Sequence, residues 1–483
     1  GCVGRKEIKF VFCIIIAIVC YYGSWATYRV GRGQFEVYNI RSDLCTHAVY
    51  AFGCINYYGV IQSCDPHLDL PDSGGKNNFG KFNALKQQNP KLKTLLAVGG
   101  WDEGSANYSL MAGNAKYRKN FIESAVDFLL KYRFDGLDLD WEYPNQRDSI
   151  YGKNDINNYN QLLKELRTAF DKHGLLLSAA VAPVKSSALK SYDIPTMSKY
   201  LDFVNVMTYD FNSPYNYVTG HNSPLHKGQG DEHLDTDEAS TVEASAQYWL
   251  SQGCPANKLV LGIPLYGHTF ALSNANVNGV RAESSGPGIA GNYTKTAGNI
   301  GYNELCELFK SQIWSKRYDN LAKVPYAVRG RNWISYDDAD SITAKVRFAL
   351  SLNVSGVMVW SIETDDFRGY CGQPYPLLKA INAALAEDMN SSNSNSAENT
   401  TEPPAENSTV GKYTYTYLID DNSEPNCTKE GFLPSPLDCG SYYYCIKDYN
   451  RKYVPYLFNC HPGLFWDQTN NYCNQPDFVT CNV

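Results

Sequence analysis

Two features that would narrow the function at once are missing from this sequence. It has no basic stripe: 43 lysine and arginine residues stand against 50 aspartates and glutamates, which gives a formal net charge of -7. Because nucleic-acid binding depends on clustered positive charge, no nucleic-acid partner is expected. The longest apolar run, within "KFVFCIIIAIVC", has about eleven residues and is too short to cross a bilayer. No membrane partner is expected either.

The same run follows basic residues near the start of the chain, which is typical of a signal-peptide core. We expect residues 1–17 to be the remnant of a signal peptide and the protein to be secreted and extracellular. The cysteine content agrees, because disulfide frameworks form in oxidising compartments. Of 15 cysteines, six lie close together near the C-terminus: Cys427, Cys439, Cys445, Cys460, Cys473 and Cys481. N-x-S/T sequons fit the same compartment, at Asn107, Asn292, Asn399, Asn407 and Asn426.

Between residues 18 and about 365, short apolar runs alternate with amphipathic stretches such as "AKYRKNFIESAVDFLLKYR". Continuous apolar strands separated by helices predict a parallel sheet that is buried on both faces. The runs are "AIVCYYGSW", "CTHAVYAF", "LKTLLAVGG", "FDGLDLDWEYP", "GLLLSAAVAP", "LDFVNVMTYD", "KLVLGIPLYG" and "VSGVMVWSIE". Eight such units predict an α/β fold, a (β/α)8 TIM barrel over residues 18–386, with the active site at the C-terminal ends of its strands. An open doubly wound sheet is the alternative.

Three segments are predicted outside the repeating units. The last two strands are about 90 residues apart, so a small α+β insertion is expected between them, over about 267–338. Residues 387–424 are poor in apolar residues and rich in Ser, Asn, Thr, Glu and Pro, which predicts a linker. Residues 425–483 hold the cysteine cluster. They are too few for a conventional core and are expected to form a small disulfide-rich β domain.

One strand carries an unusual row of acids. The segment "FDGLDLDWEYP" interleaves acidic and apolar residues with the period of two that is typical of a strand. Asp138, Asp140 and Glu142 therefore share one strand face and approach the mouth of the barrel. Three carboxylates this close cannot all ionise freely, so at least one pKa should be raised. A carboxyl group of this kind can act as a general acid near neutral pH. Asp135 is out of phase and is predicted to serve the turn into the strand.

The acidic strand resembles the D-x-x-D-x-D-x-E signature of family 18 glycoside hydrolases, the chitinases. Further motifs of that family follow in the same order: "LCTHAVYAF", "AVGGW", "VNVMTYDF", "TGHNSPL", "GIPLYG" and "GVMVWSIETDDF". The chain is similar to arthropod chitinases, including mite chitinase-like allergens. Its tail resembles a peritrophin-A chitin-binding domain, with the spacing C-x11-C-x5-C-x14-C-x12-C-x7-C. The resemblance covers nearly the whole chain.

The resemblance implies an endo-acting chitinase that hydrolyses β-1,4 linkages of N-acetylglucosamine polymers with retention. In this substrate-assisted mechanism the acetamido oxygen of the sugar attacks, and no carboxylate nucleophile is required. Glu142 would be the general acid, with its pKa raised by Asp140 and Asp138. Asp140 would orient the acetamido group and share a proton with Asp138. Tyr209 and Asp210 would hold the acetamido oxygen and the sugar.

The implied partners are chitin and chitin oligosaccharides, bound by a monomer that needs no cofactor and no metal. Substrate-binding residues are implied at Tyr21, Phe52, Trp101, Met207, Tyr215, Tyr266 and Trp360. Trp360 would be the floor under the reacting sugar, although a tryptophan in a buried strand is more often core packing. In the tail, the implied chitin-binding aromatic residues, expected to be exposed, are Tyr443, Phe465 and Trp466.

Three positions depart from many relatives. Ala97 stands in place of a serine, His268 in place of an arginine, and Tyr215 in place of a tryptophan. These departures leave the acidic row intact, and they bear on subsite affinity.

The resemblance also implies two disulfide bonds in the barrel, Cys20–Cys45 and Cys306–Cys371. Cys54 and Cys64 bracket a short loop that a third disulfide could close. The six tail cysteines are expected to pair among themselves, in a connectivity that the sequence leaves open. Cys254 is then left free.

Two other functions remain open at this stage, because a fold does not determine activity. The first is a catalytically weak or inactive chitinase-like lectin. Inactive relatives typically replace the acid that stands here as Glu142. The second is a chitin-binding protein of the peritrophic matrix that crosslinks chitin through its tail. Crosslinking requires several tail modules, and this sequence contains one.

Overall fold

The computed structural model describes residues 16–235 and 239–394, and in the tail 427–429, 431–435, 438–447, 452–460, 465–468, 472–474, 476 and 479. The chain divides into two units, Gly1–Asn393 and Ser394–Val483. Residues 1–15 of the predicted signal peptide and most of the predicted linker lie outside the described residues.

Eight parallel strands form a closed barrel, as the alternation of apolar runs predicts. They are β1 (Ala17–Gly23), β2 (His47–Ile55), β4 (Lys93–Gly99), β5 (Gly136–Asp140), β6 (Leu176–Val181), β7 (Phe203–Val206), β8 (Leu259–Pro264) and β15 (Gly356–Trp360). A short strand, β3 (Ile61–Ser63), pairs antiparallel with the end of β2. The barrel closes because β1 pairs with both β2 and β15. The open-sheet alternative is therefore wrong.

Helices surround the barrel, except for α9 (Tyr302–Ser311), which belongs to the insertion between β8 and β15. The helices around the barrel are α1 (Pro66–Asp69), α2 (Asn78–Gln88), α3 (Ala106–Gly113), α4 (Ala115–Tyr132), α5 (Asn154–Phe170), α6 (Lys185–Ser191), α7 (Ile194–Tyr200), α8 (Val242–Ser251), α10 (Ala339–Ser351) and α11 (Pro376–Ser394). The largest apolar core lies between helices and strands, and a second core, which includes Val19, Val49 and Met358, fills the barrel interior. Within the described ranges, none of the helices is both long enough and apolar enough to span a bilayer.

The predicted α+β insertion is present between β8 and β15. It contains α9 and six strands, β9 (Tyr266–Leu272), β10 (Ser284–Pro287), β11 (Asn299–Gly301), β12 (Ser315–Asp319), β13 (Val324–Arg329) and β14 (Asn332–Ser335). All of its strand pairings are antiparallel. Buried Phe270, Trp333 and Ile300 belong to its own small cores.

The last helix, α11, is longer at its C-terminal end than the sequence predicts. α11 continues to Ser394, into the segment that was predicted to be linker from residue 387. Its first turns are anchored by buried Leu377, Leu378 and Ile381. Once packing has nucleated a helix, adding residues is cheap, so polar residues extend it beyond the core.

The described part of the tail contains a three-stranded antiparallel sheet and a hairpin. The strands are β16 (Gly431–Pro434), β17 (Ser441–Lys447), β18 (Tyr453–Asn459), β19 (Phe465–Asp467) and β20 (Tyr472–Asn474). Cys427 is bonded to Cys445. Cys439 and Cys460 each take part in a disulfide bond as well. The side chains of Cys473 and Cys481 lie outside the described part of the tail.

The tail aromatics correct the expectation of an exposed face. Trp466 and Tyr443 are only 6% and 5% exposed. Trp466 stacks on Tyr442, with ring centroids 3.9 Å apart, and contacts Phe432. A domain this small has few apolar residues, so its largest rings form its core. Phe465 is half-buried.

The barrel disulfides follow the expectation. Cys20–Cys45, Cys54–Cys64 and Cys306–Cys371 are bonded. Cys254 is buried and free.

Candidate active site

The acidic row lies at the C-terminal end of β5, where the sequence places it. Asp138 and Asp140 are buried inside the barrel, and Glu142 follows two residues after the strand, half-buried at the mouth. Trp141 points to the opposite side and packs against Tyr108 and Tyr159. The period of two thus separates the acids from the apolar residues that anchor the strand.

Asp138 is held by donors from three other strands. Its Oδ2 accepts a 2.7 Å hydrogen bond from the Tyr21 hydroxyl, and its Oδ1 accepts one of 2.6 Å from Ser178. The Asn205 amide donates to the same Oδ1 at 3.3 Å. Burial raises the pKa of Asp138 to about 6, while the three hydrogen bonds act to lower it.

The expected proton sharing between Asp138 and Asp140 stays a prediction. The oxygens of Asp138 accept hydrogen bonds from the donors just named, and among the described residues no hydrogen bond joins the two carboxyl groups. Asp140 Oδ1 is buried without a hydrogen-bond partner in the described structure. Burial, then the charge of Glu142, then that of Asp138 raise the pKa of Asp140 well above its usual value. Its surroundings therefore disfavour the ionised form of Asp140.

Glu142 has the raised pKa that the sequence predicts, and burial contributes more to it than neighbouring charges do. Burial is the main cause, and it raises the pKa to about 7. The neighbouring charges that raise it include Asp210 and Asp102, and the charges of Glu142 and Asp140 also act on each other. A hydrogen bond involving Tyr143 and the charge of Arg147 lower it. A carboxyl group in this range can carry a proton near pH 7 and release it.

Asp210 and Tyr209 face the same mouth from the loop after β7. Asp210 Oδ1 accepts hydrogen bonds from the Tyr266 hydroxyl at 2.5 Å and from His268 Nε2 at 2.8 Å. Burial acts to raise the pKa of Asp210, but His268 and Tyr266 hold it below its usual value. His268, in the place of the usual arginine, thus pairs with this acid. Within the described residues, the Tyr209 hydroxyl makes one long contact, 3.7 Å, with the sulfur of Met358.

Aromatic rings converge on Trp360 at the end of β15. Its ring centroid lies 5.6 Å from that of Tyr21 and 5.8 Å from that of Phe52, whose ring plane is inclined by 29° to it. Trp360 is half-buried, so it is not simply barrel core. Met207 lies in the same interior cluster as Tyr209.

Trp101 and Tyr215 lie further out, on exposed loops. Trp101 is 58% exposed and Tyr215 is 72% exposed. The Arg147 guanidinium lies 3.9 Å from the centroid of the Trp101 ring and donates hydrogen bonds to the carbonyl oxygens of Trp101 and Glu142. The exposed Trp101 ring is thus fixed beside the candidate acid. Tyr215 is not brought against the acidic row.

Asp135 is structural, as its phase predicts. It accepts hydrogen bonds from the backbone of Thr94 and from Lys86.

Sequence reasoning missed several residues of the site. Trp25 lies 6.0 Å from Phe52 and 6.1 Å from Trp360 by ring centroids. The apolar run from Ala17 predicts Trp25 to lie in the first strand, but β1 ends at Gly23 and Trp25 belongs to a 3-10 helix. Polar residues inside apolar strand runs, in "LLSAAV" and "FVNV", could have indicated Ser178 and Asn205.

The comparisons with known proteins agree with this site. The model of glycosyl hydrolases family 18 matches residues 17–365, and that of the chitin-binding peritrophin-A domain matches residues 427–481. Probable chitinase 2 of Drosophila melanogaster is 40% identical over 398 residues, which cover 76% of this chain and 80% of that protein.

Two similar solved structures are described differently, one as a chitinase and one as a pseudo-chitinase. The Ostrinia furnacalis group IV chitinase is 51% identical, with a TM-score of 0.75, and the match covers 77% of this chain and 100% of the other. Human YKL-39, described as a pseudo-chitinase with retained chitooligosaccharide binding, is 36% identical with a TM-score of 0.70. That match covers 77% of this chain and 100% of the human one. The protein belongs to family 18 of the glycosyl hydrolases, as a chitinase with a C-terminal peritrophin-A chitin-binding domain.

Proposed function

We propose that the protein is an endo-acting chitinase that cleaves β-1,4 bonds of N-acetylglucosamine polymers with retention, through attack by the substrate's own acetamido oxygen. The observation that carries this proposal is the pair formed by Glu142 and Asp140. Glu142 has a pKa of about 7, and beside it Asp140 has a strongly raised pKa and a buried oxygen without a partner.

Glu142 acts as the general acid. It donates its proton to the glycosidic oxygen as the bond breaks, and the resulting carboxylate then activates the water that completes hydrolysis. Acid–base catalysis of this kind contributes about 10²–10⁴-fold to the rate.

Asp140 orients the acetamido group instead of attacking the sugar. A retaining enzyme with two carboxylates uses the second, ionised, as its nucleophile. Because its raised pKa disfavours the ionised form, Asp140 is poorly suited to be the nucleophile, and its buried oxygen is available as a hydrogen-bond partner for an amide. The Tyr209 hydroxyl, which makes a weak sulfur contact in the described structure, donates to the acetamido oxygen, and Asp210 holds a sugar hydroxyl.

The exposed rings support cleavage within a chain. Trp25 lies next to Trp360, and Arg147 joins the ring of Trp101 to the backbone of Glu142, so the mouth offers more than one stacking ring. Sugars on both sides of the cleaved bond then contribute to binding. Trp101 and Tyr215 are proposed to bind the more distant sugars.

An inactive lectin is the second candidate, because the similarity to human YKL-39 extends over the whole of that chain. The aromatic floor alone can bind chitin oligosaccharides. Glu142 and its raised pKa favour the active enzyme, since a lectin has no use for a proton donor at the scissile bond.

The disulfides and the tail also support a protein that acts outside the cell, on insoluble chitin. We propose that it is secreted.

The anomeric configuration of fresh product tests the mechanism. Proton NMR during the first minutes of chitotetraose cleavage should detect the β-anomer, and a substrate with glucosamine at the reacting position should resist cleavage. An initial α-anomer, or efficient cleavage next to glucosamine, would contradict substrate assistance. Product lengths from a long soluble chitin derivative test endo action, since exo action would release only short products from the start.

A further inference from the structure

A short hairpin beside the active-site mouth carries two exposed tyrosines. It joins β2 to β3, and Tyr57 and Tyr58 at its tip are 60% and 59% exposed. Their ring centroids lie 5.5 Å apart in an edge-to-face arrangement. A third ring, Tyr117 on α4, lies 6.2 Å from Tyr57 and 6.0 Å from Tyr58. We call these three residues the tyrosine platform.

The hairpin backbone is held rigidly. The Cys54–Cys64 disulfide closes its base. The Asn56 side chain accepts hydrogen bonds from the backbone of Tyr58 at 2.9 Å and of Val60 at 3.0 Å. The Asn120 amide donates to the Tyr58 carbonyl oxygen at 3.0 Å, which ties the tip to α4. Exposed rings on a fixed backbone lose little conformational entropy when they bind a ligand.

A close approach of backbones fixes the hairpin against α4. Gly59 has a φ of 78°, and a Cβ atom added there would lie 2.7 Å from the Tyr117 carbonyl oxygen. A glycine is required at this point, because the conformation and the space both exclude a side chain.

The platform is continuous with the active-site mouth. β2 is a barrel strand, so its C-terminal end lies at the mouth. The backbone N–H of Ile55, at that end, donates a 2.7 Å hydrogen bond to Glu103. Glu103 lies in the short 3-10 helix that begins with the exposed Trp101. The hairpin therefore rises beside the loop that carries one of the cleft's stacking rings.

The chemistry of the platform suits an uncharged polysaccharide. Tyrosine offers a large apolar ring together with a hydroxyl group that stays hydrated. Contiguous exposed rings on a soluble protein mark an interaction site. The proposed substrate of the cleft is chitin, and the tail matches a chitin-binding family. Chitin presents repeated apolar sugar faces and no charge.

We propose that the tyrosine platform is an additional binding surface for polymeric chitin. It holds a neighbouring chitin chain, or the surface of a chitin crystal, beside the cleft. The proposal rests on the proposed activity towards chitin. Since the platform lies outside the catalytic row, it contributes to attachment and not to bond cleavage. Each added attachment point raises the effective substrate concentration at the cleft.

Tyrosine footprinting on the full chain tests the proposal. The Glu142→Gln variant, adsorbed on insoluble chitin, would be labelled with a tyrosine-selective iodinating reagent and analysed by mass spectrometry. Labelling of Tyr57 and Tyr58 should fall at least about threefold on chitin. Tyr38 is the internal control, because it is 81% exposed and packs beside the C-terminal part of α2, away from the mouth. Its labelling should stay unchanged.

A double variant supplies the functional readout. Tyr57→Ser/Tyr58→Ser should turn over insoluble chitin about threefold or more slowly, and should hydrolyse chitotriose at the unaltered rate. Tyr57→Phe/Tyr58→Phe, which keeps the rings, should retain most of the activity on insoluble chitin. Tyr38→Ser should match the unaltered protein on both substrates. Thermal unfolding should be unchanged in each variant, because the side chains are exposed.

Three outcomes would overturn the proposal. Unchanged labelling of Tyr57 and Tyr58 on chitin would exclude contact. An equal loss at Tyr38 would indicate general shielding by the particles. Protection that grows with protein concentration in the absence of chitin would assign the platform to self-association. If Glu142→Gln still hydrolyses chitin, the proposed catalytic role fails, while the footprint remains a valid test of the platform.

Discussion

The hydroxyl group of Tyr21 donates a 2.7 Å hydrogen bond to Asp138 Oδ2, which joins the first strand of the barrel to the acidic strand. Ser178 completes the arrangement from β6, with a 2.6 Å bond to Oδ1. Asp138 is thus a fixed, fully hydrogen-bonded acid beneath Asp140. Its position depends on residues far apart in the chain.

Ser178→Ala should destabilise the protein, because a buried carboxyl oxygen loses its shortest hydrogen bond. The expected cost is about 1–3 kcal/mol in the free energy of unfolding at pH 7, measured with urea. Ser245→Ala is the matched control, since the buried Ser245 hydroxyl has no hydrogen-bond partner in the described structure and its loss should cost little.

The cost of Ser178→Ala should also depend on pH. The folded-state pKa of Asp138, about 6, lies above its usual 3.8. The folded protein therefore binds more protons than the unfolded one in this window, and the contribution of Asp138 to stability falls as pH rises from about 4 to about 6. Because hydrogen bonds to ionised carboxylates are stronger, Ser178→Ala should cost less below pH 4 than at pH 7. An equal cost at both pH values would contradict this account of Asp138.

The pH profile of activity should follow Glu142, with kcat/KM falling as pH rises through about 7 and the acid loses its proton. Arg147 lowers the pKa of Glu142, so Arg147→Gln should move this basic limb to higher pH. Asp102 raises the pKa, so Asp102→Asn should move the limb to lower pH. Profiles of kcat/KM on a short fluorogenic substrate would measure both shifts. Shifts in the same direction would refute the assignment of the limb to Glu142.

Much of this site follows from local sequence pattern. The period of two in "GLDLDWE" is enough to place Asp138, Asp140 and Glu142 on one face, because strand geometry forces it. The partners of Asp138 could not be assigned in the same way. Ser178 and Asn205 lie on neighbouring strands, and only the register of the closed barrel brings them to it.

Other features of the site depend on backbone conformations that the sequence pattern does not predict. Trp25 lies next to Trp360 because the chain leaves β1 at Gly23 and enters a 3-10 helix. Arg147 stacks on Trp101 from a loop in which its own φ is 59°. In the tail, aromatic content alone does not distinguish exposed rings from a small core, which is why the expectation for Trp466 was wrong.

Gly23→Ala should weaken binding of long oligosaccharides. A Cβ atom at this position would lie 2.6 Å from Glu363 Oε1 and 2.7 Å from the Trp25 ring, so either the buried acid or the ring must move. The substitution should raise the KM for chitohexaose more than the KM for chitobiose derivatives. It should also lower the free energy of unfolding by about 1–3 kcal/mol. Gly279→Ala is the control, since its Cβ would meet no atom within 4 Å. An unchanged chain-length dependence in Gly23→Ala would show that Trp25 does not bind substrate.

Truncation near residue 410 should separate attachment from catalysis. The barrel unit ends before this point, so hydrolysis of chitotriose should be preserved, while turnover of insoluble chitin should fall. Trp466→Ala in the full chain should act like the truncation, because Trp466 is a core residue of the tail. An equal loss on soluble and insoluble substrate would contradict a separate role for the tail.

The most direct test of the central claim is the rate of chitotetraose hydrolysis by Glu142→Gln, measured together with its binding of the same oligosaccharide. Glutamine keeps the size of the side chain but has no proton to transfer. The account predicts a loss of at least about 10²–10⁴-fold in kcat. Binding measured by calorimetry should be retained, because Trp360, Tyr209 and Asp210 are unaltered. A Glu142→Gln variant with near-normal turnover would contradict the account.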